Sequence, residues 1–187
     1  MTCLIHPTFY PNIAHFTAIV NADVVCFEVC GNYQKQSLRN RTEIYGANGK
    51  LALTAPVSYT QKNRQLYKDV KIANENNWQQ QHLKSLESAY RMSPFFEYYI
   101  DDLMAFELLI NSLQLTIKTS KTIVFEKEPT NKTDLRHLVN RNFESSLLQP
   151  YTQVFTEKHG YIPNLSILDL LFNEGPNTPL YLKDQSL

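Results

Sequence analysis

The run Arg39-Asn40-Arg41 carries the chemistry of an anion clamp, because two guanidiniums flanking an amide can make bidentate contacts to phosphate or carboxylate. In an extended segment Arg39 and Arg41 point to one side, since strand side chains alternate with period two. Lys35 adds a cation just upstream. These residues belong to a longer basic stretch. Between Tyr33 and Lys71 stand eight basic residues (Lys35, Arg39, Arg41, Lys50, Lys62, Arg64, Lys68, Lys71) against two acidic ones, Glu43 and Asp69, a net of +6. Such a stretch is either a solvated face or a site for an anionic small molecule. Nucleic acid is not expected, since its binders are basic as whole domains. Here 18 Lys and Arg balance 18 Asp and Glu.

His82, in a segment with helical periodicity, lies close to the apolar stripe marked by Leu86. It reads as a buried, hydrogen-bonded histidine or as a general acid or base, since imidazole titrates near neutrality. Glu87 and Arg91 have the spacing of a helix-stabilising ion pair, with proton transfer as the alternative role for Glu87. Trp78, the single tryptophan, either closes the end of the core or stacks on a sugar or base.

Several common enzyme signatures are absent from the sequence: Gly-x-Ser-x-Gly, the Walker loop, Gly-x-Gly-x-x-Gly and His-Glu-x-x-His. Each absence weakens one enzyme class, and none disproves catalysis. Cys3, Cys26 and Cys30 form no Cys-x-x-Cys pair and read as buried thiols of a reducing compartment. The histidines His6, His15, His82, His137 and His159 are scattered, so no metal site and no cofactor are expected.

These side chains need a scaffold, and the sequence supplies one. Cys3–Ile5, a helix-compatible stretch over Pro11–Val20 and the β-branched run Val24–Phe27 read as strand, helix and strand, hence a parallel pair with a crossover. Leu51–Val57 reads as a further strand, Asp69–Ile72 as a short one and Thr122–Phe125 as another. A helix is expected from Trp78, capped by Asn77 with Gln80 reciprocating. Another follows Ser93-Pro94, its stripe running through Phe96, Tyr99, Leu103, Phe106, Ile110 and Leu113. A polar loop spans Glu128–Asp134. The last expected helix, marked by Leu165, Leu168 and Phe172, stops at Gly175-Pro176, and the tail beyond is loose or extended.

The length of 187 residues, with 43% hydrophobic and 19% charged residues, suits one domain with a core and excludes wholesale disorder. Only five glycines are present, against repeated glycine-rich phosphate loops. The start Met1–Pro7 lacks the basic and long apolar regions of a signal peptide, and no stretch reaches the ~18 apolar residues of a membrane span. A soluble, cytoplasmic protein is the expectation.

Taken in order, several blocks resemble the WbqC-like protein family, from about residue 5 to residue 176. They are Thr8-Phe9-Tyr10-Pro11 with Phe16 and Asp23; Asn32 through Arg41; Leu53-Thr54-Ala55-Pro56-Val57; Trp78 with His82 through Tyr90 and Pro94-Phe95-Phe96; and Ile162 through Gly175. The chain looks like the shorter branch of that family, as a single domain over 1–176 with a tail at 177–187. Arg39, Asn40, Arg41, His82, Glu87, Asn164 and Asp169 keep the family pattern. Ile5 stands at the usual histidine position, with His6 one place out of register. Asn12 replaces a Trp, Val29 and Cys30 replace an acidic pair, and Glu43 replaces an Arg.

The resemblance implies the context of bacterial surface-polysaccharide (O-antigen) gene clusters, in which some members are described as group transferases. The fold expected is α/β, with a mostly parallel sheet, helices on both faces and a helix-rich middle. Ligands of such folds gather outside the carboxyl ends of the strands. The expected function is a transferase binding an anionic donor, a nucleotide sugar or an activated amino acid. Lys35, Arg39 and Arg41 would hold the anion, Asn40 would orient it, Trp78 would stack, and His82 or Glu87 would move a proton. The alternative is a non-catalytic binding or assembly protein with a protein partner, to which the aromatic surplus of Tyr98, Tyr99, Tyr151, Tyr161 and Tyr181 would be suited.

Overall fold

The computed structural model describes residues 1–58, 60, 65–74, 76–102, 115–141, 143 and 148–187. A four-stranded, all-parallel sheet in the order β7-β2-β1-β8 forms its centre, from β1 (Thr2–Ile5), β2 (Val24–Phe27), β7 (Lys118–Lys121) and β8 (Thr133–Asp134). β1 and β2 pair from Thr2↔Val24 to Ile5↔Phe27 and are joined by α1 (Ile13–Val20), the expected strand-helix-strand unit. Cys3, Ile5, Ile19 and Val25 close the core between sheet and helix.

A hairpin of β3 (Arg41–Gly46) and β4 (Gly49–Thr54) lies next in sequence, pairing from Arg41↔Thr54 to Gly46↔Gly49. Gly49, at φ +98°, supplies the left-handed residue that this tight reversal needs. The expected strand over Leu51–Val57 is therefore two pieces. Its end, β5 (Val57–Ser58), pairs antiparallel with β6 (Lys71–Ile72).

The edge strand β7 lies earlier than Thr122–Phe125. The polar run Lys118–Lys121 takes the edge because its side chains are exposed, while Ile123, Val124 and Phe125 lie beyond it. Within the expected polar loop, Thr133 and Asp134 pair with Cys3 and Leu4 as β8.

Helix α2 (Trp78–Tyr90) buries Leu86, Ala89 and Tyr90, while Leu83 stays exposed and Asn77 makes no side-chain cap. Helix α3 (Phe96–Tyr99) begins two residues after Pro94, and the expected stripe from Leu103 to Leu113 lies outside the described residues. α4 (Thr156–His159) is a single turn. α5 (Ile167–Glu174) is capped by Ser166 Oγ, which accepts the Leu168 N–H at 3.3 Å, and it ends at Gly175 as expected. A Cβ on Gly175, at φ +52°, would stand 2.5 Å from the Phe95 ring.

The tail is helical, not extended. α6 (Thr178–Lys183) packs on α1 and buries Leu182, whose carbonyl accepts from Asn21 Nδ2 at 3.5 Å. Phe16, Tyr90, Phe96 and Phe172 belong to the main core, and α5, which contributes Phe172 to it, also buries a carboxylate, Asp169. It accepts from Tyr90 Oη at 2.7 Å, from Gln153 Nε2 at 3.2 Å and from Tyr151 Oη. Burial pushes Asp169 up to about 6, against the pull of these hydrogen bonds.

Candidate functional site

The segments leaving the carboxyl ends of β1, β2 and β8 (6–12, 28–40 and 135–141) come together at one edge of the sheet. Backbone hydrogen bonds lace them, Phe9 N to Leu38 O at 3.1 Å and Leu38 N to Val139 O at 3.0 Å. Glu28 anchors the second segment: its Oε1 accepts from Cys30 N at 2.8 Å, Gly31 N at 3.1 Å and Thr122 Oγ1 at 2.9 Å. Arg136 anchors the third. It grips Asp134 through Nε and Nη2 at 2.8 and 2.6 Å and donates to the Glu126 and Lys127 carbonyls.

Between the second and third segments lies a polar cavity of about 550 Å³, walled by Lys35, Gln36, Ser37, His137, Asn140 and Arg141 among others. No acidic side chain lines it among the described residues. A neighbouring cavity of about 290 Å³ shares Arg141 and Phe143 with it and continues past Glu43, Lys50 and Asn164. Glu43 there accepts from Arg141 Nε at 2.8 Å and pairs with Lys50 Nζ at 3.1 Å. Burial alone would raise the Glu43 carboxyl, but the two cations outweigh it and hold it below the usual range.

The residues singled out in the sequence occupy several places. Lys35 is in the wall of the polar cavity. Arg39 is buried at 5% exposure, donating from Nη1 to Ser37 Oγ at 3.0 Å with its guanidinium 5.7 Å from the Tyr67 ring centre. Asn40 accepts from Tyr33 Oη at 3.0 Å and donates to the Ala55 carbonyl at 2.8 Å, tying the turn to the hairpin. Arg41 donates from Nε to Thr54 Oγ1 across that hairpin at 3.1 Å.

Arg39 stands in a turn and Arg41 begins a strand, so period-two alternation does not relate them. Arg41 and His82 both reach Thr54, Arg41 at its hydroxyl and His82 at its backbone. The His82 ring is 5.1 Å from Trp78 and 5.7 Å from Phe9. Burial lowers its pKa, and the Thr54 backbone opposes the shift. Glu87 lies five residues on, about 140° around the helix, and is exposed.

Two residues met only as scattered histidines share a further cavity, of about 340 Å³, on the other side of segment 6–12. Tyr10 and Asn12 face the Glu43 cavity, while Thr8 and Pro11 face this one, with His6 and His15. Asn12 caps α1 by accepting the His15 N–H at 3.0 Å, and its Oδ1 is also 3.1 Å from His15 Nδ1. Because that oxygen already accepts, Nδ1 must be the protonated nitrogen. His6 Nδ1 lies 3.3 Å from the Glu28 carbonyl, which makes it a donor too. Burial, aided by the Arg39 charge, pushes His6 down to about 4; burial, with repulsion from His6, pushes His15 down to about 3. Both rings are neutral at pH 7.

The sequence reading missed Arg141, His137 and this histidine pair. Asn12 three residues before His15 was the available signal, since an Asn cap at that spacing points at the residue it caps. Arg141 had no local signal. Its partner Glu43 is distant in sequence, and only the fold joins them.

Among the described residues, no three His, Cys, Asp or Glu side chains gather as a metal site. Cys3 and Cys26 are buried, whereas Cys30 is half-buried with Sγ 3.3 Å from the Ile123 carbonyl. No described helix is long and apolar enough to cross a membrane.

A family model described as the WbqC-like protein family matches residues 6–108. That span takes in segments 6–12 and 28–40, the β3–β4 hairpin and α2, and leaves Arg141 and Asp169 outside. No curated protein and no solved structure matches the chain.

Proposed function

We propose that this chain, which belongs to the WbqC-like protein family, binds an anionic small molecule at the carboxyl edge of its parallel sheet and serves group transfer in surface-polysaccharide synthesis. The supporting observation is the polar cavity, where Lys35 and Arg141 stand among amide, hydroxyl and imidazole groups with no lining acid among the described residues. Such a wall fits the phosphates of a nucleotide sugar or of an activated amino acid. In a transfer step the same cations would stabilise charge building on the departing phosphate. Arg39 and Asn40 shape the wall from within by fixing Ser37 and the 28–40 turn. Arg41, Trp78 and His82 would receive the acceptor end, with His82, its pKa lowered, taking a proton.

One observation favours a non-catalytic binding or assembly protein instead. Glu87 is exposed and turned away from His82 around α2, so these two do not assemble an acid–base pair.

The test is a thermal-shift panel of nucleotide sugars, nucleotides, acyl-coenzyme A species and amino acids, run on wild type and Lys35→Ala. Ligand at about 100 times its Kd adds about 2.7 kcal/mol. In a chain of this size that raises Tm by roughly 5–10 °C. A shift confined to one class and lost in Lys35→Ala supports the proposal. No shift in any class supports the binding-protein alternative and directs the search to a protein partner.

A further inference from the structure

Arg141 and Phe143 belong to the wall of the polar cavity and to that of its smaller neighbour, so the two meet as lobes of one site. Among the described residues, the non-glycine positions with positive φ are Tyr10 (+42°), Gln36 (+57°) and Asn164 (+55°). Gln36 lines the larger lobe, and Tyr10 and Asn164 line the smaller. Such backbone persists only where its surroundings over-determine it, and it gathers at ligand sites. Here long-range bonds supply the hold. The Tyr10 carbonyl accepts from Thr42 Oγ1 at 2.8 Å, and Ile13 N and Ile167 N donate to the Leu165 and Pro11 carbonyls at 3.0 and 2.8 Å. The smaller lobe has one acid among the described residues, Glu43. Its Oε1 takes Arg141 Nε and Nη2, its Oε2 takes Lys50 Nζ, and its side chain is only 9% exposed. The side chains of Lys50 and Arg141 are far more open, at 43% and 39%. Asn164 gives Oδ1 to the Ala14 N–H at 2.9 Å, and its Nδ2 has no partner among the described residues.

We infer that the smaller lobe holds the hydroxyl-bearing body of a sugar whose phosphate sits in the larger lobe, so that the ligand is a phosphosugar and not an activated amino acid; this rests on the anion site at Lys35 proposed above. An aminoacyl group brings an ammonium. In the smaller lobe that charge would meet Lys50 and Arg141, while the carboxylate that could offset it is already shared between these two cations. A sugar brings no charge. Its hydroxyl oxygens accept hydrogen bonds, and Lys50 Nζ, the Arg141 guanidinium and Asn164 Nδ2 are donors with capacity to spare. Tyr10 and Phe143, in the same wall, add aromatic surface for the C–H face of the ring.

Inorganic phosphate, glucose 1-phosphate and phosphoethanolamine are the probes: the anion alone, the anion with a hydroxyl body and the anion with an ammonium body. Calorimetric titration of each into the whole chain, at about pH 8 where all three phosphates are dianions, gives the three affinities. Glucose 1-phosphate is expected to bind roughly ten-fold tighter than phosphate, the worth of one or two added hydrogen bonds, and phosphoethanolamine no tighter than phosphate. Lys35→Ala is expected to weaken all three alike. Lys50→Met removes a hydroxyl donor and frees one side of Glu43, so relative to phosphate it should lower the affinity for glucose 1-phosphate and raise that for phosphoethanolamine. Lys50 is exposed on β4, and circular dichroism confirms that the variant folds. Phosphate binding that depends on Lys35, with no gain from the glucose body, overturns the inference and leaves the anion site standing. So does tighter binding of phosphoethanolamine than of glucose 1-phosphate, or a pair of ratios that folded Lys50→Met leaves unchanged. Failure of all three probes to bind, or binding that Lys35→Ala does not weaken, overturns the anion site and the inference together.

Discussion

Asn12 Oδ1 accepts two protons from His15, the backbone N–H at 3.0 Å and the ring Nδ1–H at 3.1 Å. One side-chain oxygen therefore both starts α1 and fixes the tautomer of a buried imidazole. The helix cap and the tautomer of the buried ring share a single cause.

Replacing that oxygen should separate the two consequences. Asn12→Ala is expected to cost about 1–2 kcal/mol in denaturant unfolding, the usual loss of an Asn cap. In 15N spectra His15 should change from one tautomer to a mixture of two. Asn12→Asp should keep the cap and place a negative charge beside the ring, raising the His15 pKa above its present value of about 3 in an NMR titration.

Glu43 divides stability from ligand affinity. Glu43→Gln leaves Arg141 and Lys50 without their counter-charge, and a loss of about 1–2 kcal/mol at pH 7 is expected. The folded Glu43 carboxyl sits below its ordinary range, so its stabilisation is present above the unfolded pKa of about 4.3 and is lost as pH falls through the folded value. The variant should therefore lose part of the acid limb of the stability curve. Removing a negative charge beside Arg141 should at the same time tighten anion binding. That gain should shrink as salt rises and screens it.

Trp78 reports on His82 directly. The two rings meet edge to face at 5.1 Å, and Trp78 is the only tryptophan. Protonated imidazole quenches an adjacent indole, so fluorescence should fall as pH drops, with a midpoint below the ordinary histidine value of about 6.5. His82→Phe should abolish the transition. A midpoint at or above 6.5 would mean that burial does not govern this ring.

The parts of the fold that could be read in the sequence are those fixed by local pattern. Val24–Phe27 is a β-branched run buried in the sheet, and Ser166 to Gly175 carries its own cap and stop, so β2, α1 and α5 were legible. Lys118–Lys121 was not, because an edge strand needs no apolar pattern and takes its place only by pairing with β2. Lys35 was legible as a cation, but its cavity was not, since the other wall comes from the segment after β8. The pairing of Arg39 with Arg41 failed for a local reason: period-two alternation needs two residues of one strand, and the strand starts at Arg41. His6 and His15 looked scattered because their distance in sequence is spanned by a turn of chain from strand to helix.

Asp169 gives the sharpest test of the core. It is fully buried, and its pKa is pushed up to about 6 because burial disfavours the charge more than Tyr151, Tyr90 and Gln153 favour it. In the unfolded chain the same group titrates near 3.9. Between those values the folded state holds a proton that the unfolded state has lost, so stability from this group is full below about pH 4 and falls as pH rises through about 6. The fall amounts to roughly 3 kcal/mol, opposite in sign to the Glu43 contribution. Asp169→Asn cannot ionise, and the difference between variant and wild-type stability should therefore move in the variant's favour between pH 4 and pH 7. Its amide can still accept from Tyr90, while the Tyr151 hydroxyl can turn to accept from it. Asp169→Leu offers no acceptor to either tyrosine or to Gln153, and should cost about 3–5 kcal/mol at every pH below 6. Urea unfolding of the three proteins at pH 4, 5.5 and 7 separates the charge from the hydrogen bonds. Parallel pH profiles for wild type and Asp169→Asn would show that the carboxylate titrates elsewhere.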